Sequence, residues 1–476
     1  MARNVTEKPL HGAERPPSNG NGVARKSNGT GDRYRPLPTG THGLDPELVK
    51  RDQCERLQKA LVELIADKGY PAVRIVDLAK LAHVSQPTFY SLYADKEDLF
   101  MSAYTEVAER TGTAVLEAYR ARRPHEQRVI AAVRAWTKAA AGDPEGVSLL
   151  VTGAFGAGAK ALERRRRILR ELERNIYASR DERAKVDPGD LVVKAILGGI
   201  REVTATRLLE GRASELPGLT DELAAWAICY PRRLPAGLAA PPASRRAAGN
   251  GVVSSERARR AEGRLPSGRS DLPRQFIVKS QRERIVDATA AIVAERGLAA
   301  LTVPEIARRA NVSHQTFYDI YSSKHDAFLG ALKVGLHRAL TISVEAYQAH
   351  EDDWPRAARA GLQALLEFLA SEPAHANLSL VGTFAACPEA LEIRSSTLRA
   401  FAAYFGPAYE LARDQDAVPA IAGEAIAGGI WQVLHYYVES DSIAELPAAL
   451  AQICYFTLTP FLGPAGAAAY SLAEST

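Results

Sequence analysis

One segment of the chain occurs twice, and this duplication constrains the fold more than any other feature. Residues 82–101 read AHVSQPTFYSLYADKEDLFM and residues 310–329 read ANVSHQTFYDIYSSKHDAFL, so the two align without a gap at an offset of 228 residues. Further on, AILGGI at 195–200 matches AIAGGI at 425–430 at an offset of 230. Because the offset drifts by only two residues over this distance, we infer that a whole domain is duplicated.

Composition separates two long blocks from the segments around them. Residues 1–44 are rich in Gly, Pro, Asn and Arg and predict a disordered basic arm, with seven Lys and Arg against three acids. Residues 236–273 repeat this composition and predict a basic flexible linker. The blocks at 45–235 and 274–465, hereafter block one and block two, hold about 190 residues each, which suffices for a self-sufficient core. Residues 466–476 predict a tail.

Both blocks predict helices. In QRERIVDATAAIVAERG the apolar residues recur at Ile285, Ala288, Ile292 and Val293, on one stripe of a helix that Gly297 would end. The period-2 alternation typical of strands is not convincing anywhere in the chain. An all-α fold class follows.

Several features predict a cytoplasmic protein with no membrane, metal or cofactor partner. The sequence has no apolar run of the roughly 18 residues that a membrane span requires, and its start has no apolar core of a signal peptide. The four cysteines lack CxxC spacing, and the ten histidines show no HExxH pair. No P-loop, GxSxG motif or GxGxxG motif after a strand is present, so we expect no enzymatic activity.

The repeated segment predicts two short helices joined by a tight turn. Thr302 and Glu305 form a capping box that starts a helix through about Ala310, and Ser313 can cap a second helix from about His314. In the first copy the second short helix follows Ser85. Two such helices form a helix-turn-helix unit.

The second short helix of each copy has two faces of different character. Phe89 and Tyr93, like Phe317 and Tyr321, are four residues apart and would pack into the domain. The other face of the first copy carries Gln86, Pro87, Tyr90 and Ser91, with no acidic residue, and would suit the major groove of DNA. A glutamine can make paired hydrogen bonds to adenine, whereas Thr88 and Lys96 are placed for phosphates.

The segments VSQPTFYSLYADKEDLF and VSHQTFYDIYSSKHDAFL resemble the DNA-binding signature of TetR/AcrR-family transcriptional regulators. The resemblance covers both blocks and implies two tandem TetR-like domains. Each would have a three-helix DNA reader, at about 50–98 and 279–326, and a larger helical ligand-binding and dimerisation region. It implies a regulator of double-stranded DNA, most often a repressor, that a small-molecule effector releases from its operator.

The resemblance also assigns roles to individual residues. In the first reader it implies base contacts by Gln86, Pro87 and Tyr90, and phosphate contacts by Arg74, Thr88 and Lys96. In the second it implies base contacts by His314, Gln315 and Tyr318, and phosphate contacts by Thr302, Thr316 and Lys324. Ser85 and Ser313 complete the expected DNA-binding set.

Some positions depart from the family pattern. His83 and Asn311 stand where the family often has Gly in the turn, and His83 tolerates positive φ less well than Asn. Arg74 replaces the capping Thr, and Leu92 and Ile320 stand where a His is frequent. The first reader is therefore expected to be the less regular one.

The family usually binds DNA as a symmetric dimer, so the duplication suggests an internal pseudo-dimer of block one against block two. The paired glycines of AILGGI and AIAGGI would allow its helices to approach closely. Because the two reading faces differ, we expect a non-palindromic operator. Further dimerisation into a four-reader assembly stays open.

Three alternatives accompany this interpretation. One or both readers could be silent in a ligand-responsive interaction protein. The run ERRRR at 163–167 predicts a solvated helix face rather than a nucleic-acid contact. Trp431 and His435 could line a ligand pocket, although aromatic residues at helical spacing are more often core.

Overall fold

The computed structural model of the chain describes residues 45–120, 124–153, 157, 159–180, 191–231, 234–235, 237–238, 274–382, 388–412 and 418–473. The predicted arm at 1–44, all of the predicted linker except residues 237–238, and residues 474–476 of the predicted tail lie outside these ranges. No β-strand occurs within them, which confirms the all-α class. The predicted boundaries of the two blocks stay predictions.

Block one begins with three helices that form the reader, and six further α-helices follow among the described residues. Asp45 caps the first helix by accepting a hydrogen bond from the Glu47 amide, and Gly69, at φ 75°, ends it. The helices are α1 Pro46–Lys68, α2 Ile75–Leu81, α3 Gln86–Leu92, α4 Lys96–Arg120, α5 His125–Gly142, α6 Pro144–Ser148, α7 Ala159–Arg180, α8 Leu191–Leu209 and α9 Thr220–Ile228.

Block two repeats this order with one additional short helix, α17. Its first helix ends at Gly297, at φ 76°, as the sequence predicts. The helices are α10 Arg274–Arg296, α11 Val303–Ala310, α12 His314–Ile320, α13 Lys324–Gln348, α14 Trp354–Ser371, α15 Pro373–Asn377, α16 Pro388–Ala402, α17 Gly406–Leu411, α18 Ala422–Glu439 and α19 Leu450–Leu472.

The two blocks pack through α8 and α18, whose glycine pairs lie at the contact. A Cβ atom on Gly429 would lie 2.6 Å from the Ala195 carbonyl oxygen, and one on Gly199 would overlap the equivalent oxygen of Ala425. Each block thus presents a glycine to a backbone carbonyl of the other. Side chains as small as alanine would push these helices apart.

Two ion pairs between the blocks are buried or half-buried. Arg394 makes a two-pronged bond to Glu202, and its Nη1 lies 2.8 Å from Oε1. Arg207 does the same to Glu424, at 2.8 and 2.9 Å. Because Arg394 is only 2% exposed, its guanidinium needs this compensation for the loss of water.

The prediction that 163–167 forms a solvated face is wrong for Arg165. This residue is 2% exposed and lies between the blocks, with Nη2 3.3 Å from Gln432 Oε1 and Nη1 3.9 Å from Glu439 Oε2. The repeat relates Arg165 to Arg394, and Gln432 to Glu202. The neighbouring Arg164 and Arg166 stay partly exposed, with 27% and 37% of their side chains open to solvent.

Two helical segments, Lys324–Gln348 and Ile443–Leu472, are long and apolar enough to cross a membrane. This differs from the sequence prediction, because small and polar residues interrupt the apolar ones in both segments. Both contribute buried side chains to the core of block two, including Phe328 and Leu332 from the first and Tyr455 and Phe456 from the second. Their hydropathy is that of core helices.

Candidate nucleic-acid interface

Helices α3 and α12 are fixed to their domains by one aromatic face. Phe89 and Phe317 are each 0% exposed, and Tyr93 and Tyr321 are buried beside them. Burial of one such ring is worth about 2 to 3 kcal/mol relative to exposure. The inward face of both helices is therefore strongly specified, as the sequence predicts.

The opposite faces of α3 and α12 are open to solvent. Tyr90 and Tyr318 are each 56% exposed, although their rings pack edge-on against Phe89 and Phe317. The positions predicted to meet bases are all exposed: Gln86, Pro87, Tyr90, His314, Gln315 and Tyr318. Each reader thus presents hydrogen-bonding and aromatic groups on a helix narrow enough for a major groove.

The two exposed faces are not equivalent. Gln315 Nε2 donates to Asp319 Oδ1 at 2.9 Å, so an acid lies within the second face and orients the glutamine. In the first, Ser91 occupies the position of Asp319, and its hydroxyl donates to the Thr88 carbonyl at 2.7 Å. The first face is uncharged, whereas the second carries a carboxylate.

The amino ends of both recognition helices are capped in the same way. Ser85 Oγ accepts from the Thr88 amide at 3.1 Å, and Ser313 Oγ accepts from the Thr316 amide at 3.0 Å. In each pair the two hydroxyls also bond to one another. Ser85 and Ser313 thus act as caps, and the DNA contacts of all four hydroxyls stay predictions.

The turn before each recognition helix is closed by an arginine that sequence reasoning missed. Arg284 Nη1 donates to the carbonyls of Ala310 and Asn311, both at 2.9 Å. Arg56 does the same to Ala82 and His83. Asn311 and His83 adopt positive φ, 50° and 52°. The signal was present in the repeat, since both arginines occupy the same position of the first helix.

The lysines predicted to meet phosphates are bonded to the backbone of their own readers. Lys96 Nζ donates to the carbonyls of Tyr70 and Val73 at 2.9 and 2.8 Å, and burial lowers its pKa. Lys324 Nζ donates to the Leu301 carbonyl at 3.0 Å. An ammonium has three N–H groups, so each lysine retains at least one for another acceptor.

Arg74 and Thr302 precede equivalent helices but are used differently. Thr302 Oγ1 accepts from the Glu305 amide at 3.4 Å and caps α11. Arg74 makes no cap and instead forms a two-pronged bond to Asp77, at 3.1 and 2.9 Å. The irregular start of the first reader agrees with the departure seen in the sequence.

Block two also contains an apolar cavity of about 70 Å³. It lies between α13, α14, α16 and α18 and is lined mainly by side chains such as Leu336, Leu365, Phe368 and Leu434. Trp431 is part of its wall. This volume is several times the roughly 10 to 15 Å³ that one water molecule needs.

His435 lies elsewhere, in a small polar cavity between the blocks together with Arg165, Arg201 and Glu202. Its Nδ1 lies 2.8 Å from the Leu380 carbonyl oxygen, and its Nε2 lies 3.1 Å from Glu439 Oε1. Burial lowers the pKa of His435. Of the two residues predicted to line a ligand pocket, only Trp431 faces the apolar cavity.

One of the comparisons with known proteins matches the two readers. A family model described as bacterial regulatory proteins, tetR family, matches residues 57–103 and 285–330. The chain is similar to the HTH-type transcriptional activator FasR of Mycolicibacterium smegmatis, with 26% identity over 113 residues, which is 24% of this chain and 52% of the activator. It thus spans about half the length of this relative. Because both family matches include a capped, solvent-facing recognition helix, we conclude that the chain carries two TetR-like amino-terminal domains in tandem.

Proposed function

We propose that the chain binds a non-palindromic operator in duplex DNA with both readers, as a single-chain pseudo-dimer in the cytoplasm. One observation carries the proposal: two recognition helices are fixed by the same buried aromatic pair, yet present different exposed side chains. Different side chains facing the grooves prefer different bases. The DNA-binding set proposed from the sequence is retained, with base readers on α3 and α12 and phosphate contacts around them.

Charges at the contact between α8 and α18 support pairing within one chain. Arg207 of block one bonds to Glu424 of block two. The repeat relates Glu424 to Lys194, so two copies of block one paired in this way would bring Arg207 against Lys194. Like charges in a half-buried contact are unfavourable, and the mixed pairing avoids them.

We further propose that a small-molecule effector controls this binding from the apolar cavity of block two. Repression is the first candidate for the sign of regulation, because the family resemblance implies it. Activation is the second, since the matched relative is described as a transcriptional activator. A reporter gene placed behind the selected operator distinguishes them: deletion of the regulator raises expression in the first case and lowers it in the second.

Selection of binding sites from random duplex DNA by the full chain tests the proposal. We expect two unequal half-sites whose centres lie about 10 base pairs apart, one helical turn. Gln86→Ala should relax one base position in one half-site and Gln315→Ala one in the other, each at about 1 to 3 kcal/mol. Lys96→Ala and Lys324→Ala should weaken binding to all sequences alike.

Thr113→Ala is the matched control, because Thr113 is exposed on α4, about 25 Å along the helix from its reader end. Its affinity should equal that of the unaltered chain. A perfect inverted repeat would contradict the non-palindromic operator. Failure to enrich any sequence would instead favour the interaction protein with silent readers.

A further inference from the structure

A buried histidine belongs to the wall of the mainly apolar cavity in block two. His375, on α15, is 4% exposed and lines the cavity. The nearby hydroxyls of Ser343 and Thr397 already donate to the carbonyls of Gly361 and Ile393, at 2.9 and 2.8 Å. Each of these two hydroxyls has used its only proton, so neither can donate to a ligand.

The two ring nitrogens of His375 have different surroundings. Nε2 lies 2.9 Å from Oδ1 of Asp287 on α10, the first helix of the second reader. Nδ1 is buried and has no hydrogen-bond partner among the described residues. A buried polar atom without a partner costs about 1 to 3 kcal/mol, which a ligand group can recover.

The geometry around Gly335 places Nδ1 at the cavity. Gly335 is part of the cavity wall, and a Cβ atom built on it would lie 3.4 Å from His375 Nδ1 and 3.1 Å from Ser379 Oγ. The missing side chain therefore leaves space directly beside Nδ1. A polar atom, Nδ1 of His375, therefore lies at one corner of a mainly apolar cavity.

We propose that the cavity binds a small apolar molecule with one hydrogen-bond donor, such as a hydroxyl group, which donates to Nδ1 of His375. The carboxylate of Asp287 accepts a hydrogen bond from Nε2–H, and in this tautomer Nδ1 is the acceptor nitrogen of the ring. This inference rests on the proposed function and names the chemical class of its effector.

The same histidine connects the cavity to the reader. Asp287 lies on α10, and Arg338 of α13 lies 3.6 Å from the same carboxylate oxygen. A ligand that moves the imidazole therefore changes a bond that ties the reader to the regulatory helices. Binding at Nδ1 and the affinity for DNA become linked through this one side chain.

Block one lacks the parts of this site. By the alignment of the repeats, Gly146 stands in the position of His375, Val107 in that of Gly335 and Lys59 in that of Asp287. The site is therefore confined to block two. One effector molecule per chain is expected to bind at saturation.

Phenol and toluene test the proposal, because they share a shape and differ in the donor. In the full chain we expect phenol to bind roughly three- to tenfold more tightly than toluene by calorimetry, the effect of one hydrogen bond. An Asn side chain reaches the position of Nδ1 and a Gln side chain that of Nε2. His375→Asn should therefore keep the preference for phenol, whereas His375→Gln should lose it.

The DNA affinity separates binding from coupling. Phenol should change the affinity of the unaltered chain for the selected operator, and His375→Asn, which loses the bond to Asp287, should lose this response. Gly335→Ala keeps that bond but narrows the corner beside Nδ1, so its affinity for phenol should fall at least threefold. Gly335→Ala decides the outcome if the His375 variants do not fold.

Equal affinity for phenol and toluene, or no binding of either, would overturn the proposal. An operator affinity that ignores bound phenol would overturn the coupling through Asp287. Titration with phenol requires no DNA, so its outcome stands even if the selection experiment returns no operator. Failure of the DNA-binding proposal and failure of the ligand proposal are thus distinguishable.

Discussion

In block one the recognition helix is fixed by Phe89 and Tyr93, and in block two by Phe317 and Tyr321 at the matching positions. The capping serines and the arginines that close the turns are likewise repeated. The exposed positions between these anchors differ, and so do the charges where the blocks meet. The comparison teaches that the scaffold of a reader is the part that a duplicated domain retains, while its outward face is open to change.

The largest effect is expected where the two blocks are most alike. Phe89→Ala and Phe317→Ala each remove a fully buried ring, and we expect each to cost about 3 to 5 kcal/mol of unfolding free energy for its reader. Hydrogen exchange at increasing urea concentration measures the unfolding free energy of each reader separately. Tyr90→Ala, on the exposed face, is the control and should change stability by less than about 0.5 kcal/mol. Unequal losses for the two phenylalanines would show that the two readers are not stabilised equally by their buried aromatic residues.

The contact between the blocks should respond unequally to equivalent changes. Glu202→Ala removes the carboxylate that compensates the buried Arg394, and we expect a loss of about 3 kcal/mol in unfolding free energy. Gln432→Ala, at the position related by the repeat, removes a neutral amide oxygen that accepts hydrogen bonds from Arg165 and Arg201, both at 3.3 Å, and should cost about 1 to 2 kcal/mol. Urea unfolding of both variants measures the difference. Equal losses would show that the ion pair of Glu202 and the hydrogen bonds of Gln432 contribute equally to the contact between the blocks.

Acid should lower the free energy of unfolding through Glu439, which lies in block two at the contact with block one. Burial raises the pKa of its carboxyl, but the bond from His435 and the charges of Arg165 and Arg166 outweigh burial and hold it at about 2. A depressed pKa contributes stability above about pH 4.5 that is lost as the pH falls towards 2. Glu439→Gln should be about 2 kcal/mol less stable than the unaltered chain at pH 7.

Urea unfolding between pH 7 and pH 3 measures this dependence. The difference between Glu439→Gln and the unaltered chain should shrink below about pH 4.5, because the carboxyl of the unfolded chain binds a proton there while that of the folded chain stays ionised. A difference that stays constant over this range would show that Glu439 is not ionised between the blocks. Leu209 occupies the related position in block one and cannot ionise, so we expect no equivalent pH-dependent contribution to stability from that position.

The smallest effect concerns the two turns. His83 and Asn311 both adopt the left-handed conformation, which Asn tolerates better than His. His83→Asn should therefore stabilise the first reader by about 0.5 kcal/mol, and Asn311→His should destabilise the second by a similar amount. Thermal unfolding of the two variants measures opposite shifts. Shifts of the same sign would show that side-chain contacts, rather than φ, decide these positions.

The parts of the readers that local rules control could be predicted from the sequence. Capping serines, the glycines that end α1 and α10, and the period of the aromatic residues all act within a few positions of the chain. The glycine pairs of the contact helices were also predicted, because small residues permit close approach whichever helix they meet.

Features that depend on distant residues could not be predicted. Arg165 reads as part of a solvated run, and its partners Gln432 and Glu439 lie more than 260 positions further along the chain. His375 has no motif around it, and its role depends on Asp287 and on the space beside Gly335. Arg56 and Arg284 could be predicted only in part. Alignment of the repeats shows that the two arginines occupy the same position, but it does not show that they bond to the turn.

The contact between α8 and α18 joins two helices of one polypeptide, and this has a consequence for the cell. Partners on separate chains part on dilution, whereas tethered partners meet at an effective concentration that the linker sets, in the millimolar range for a short flexible one. Under the proposed single-chain pairing, a cell that holds a single copy of this protein still holds both readers together. Gene dosage and uneven partition at division would then change the number of paired readers in a cell but not the pairing within each chain.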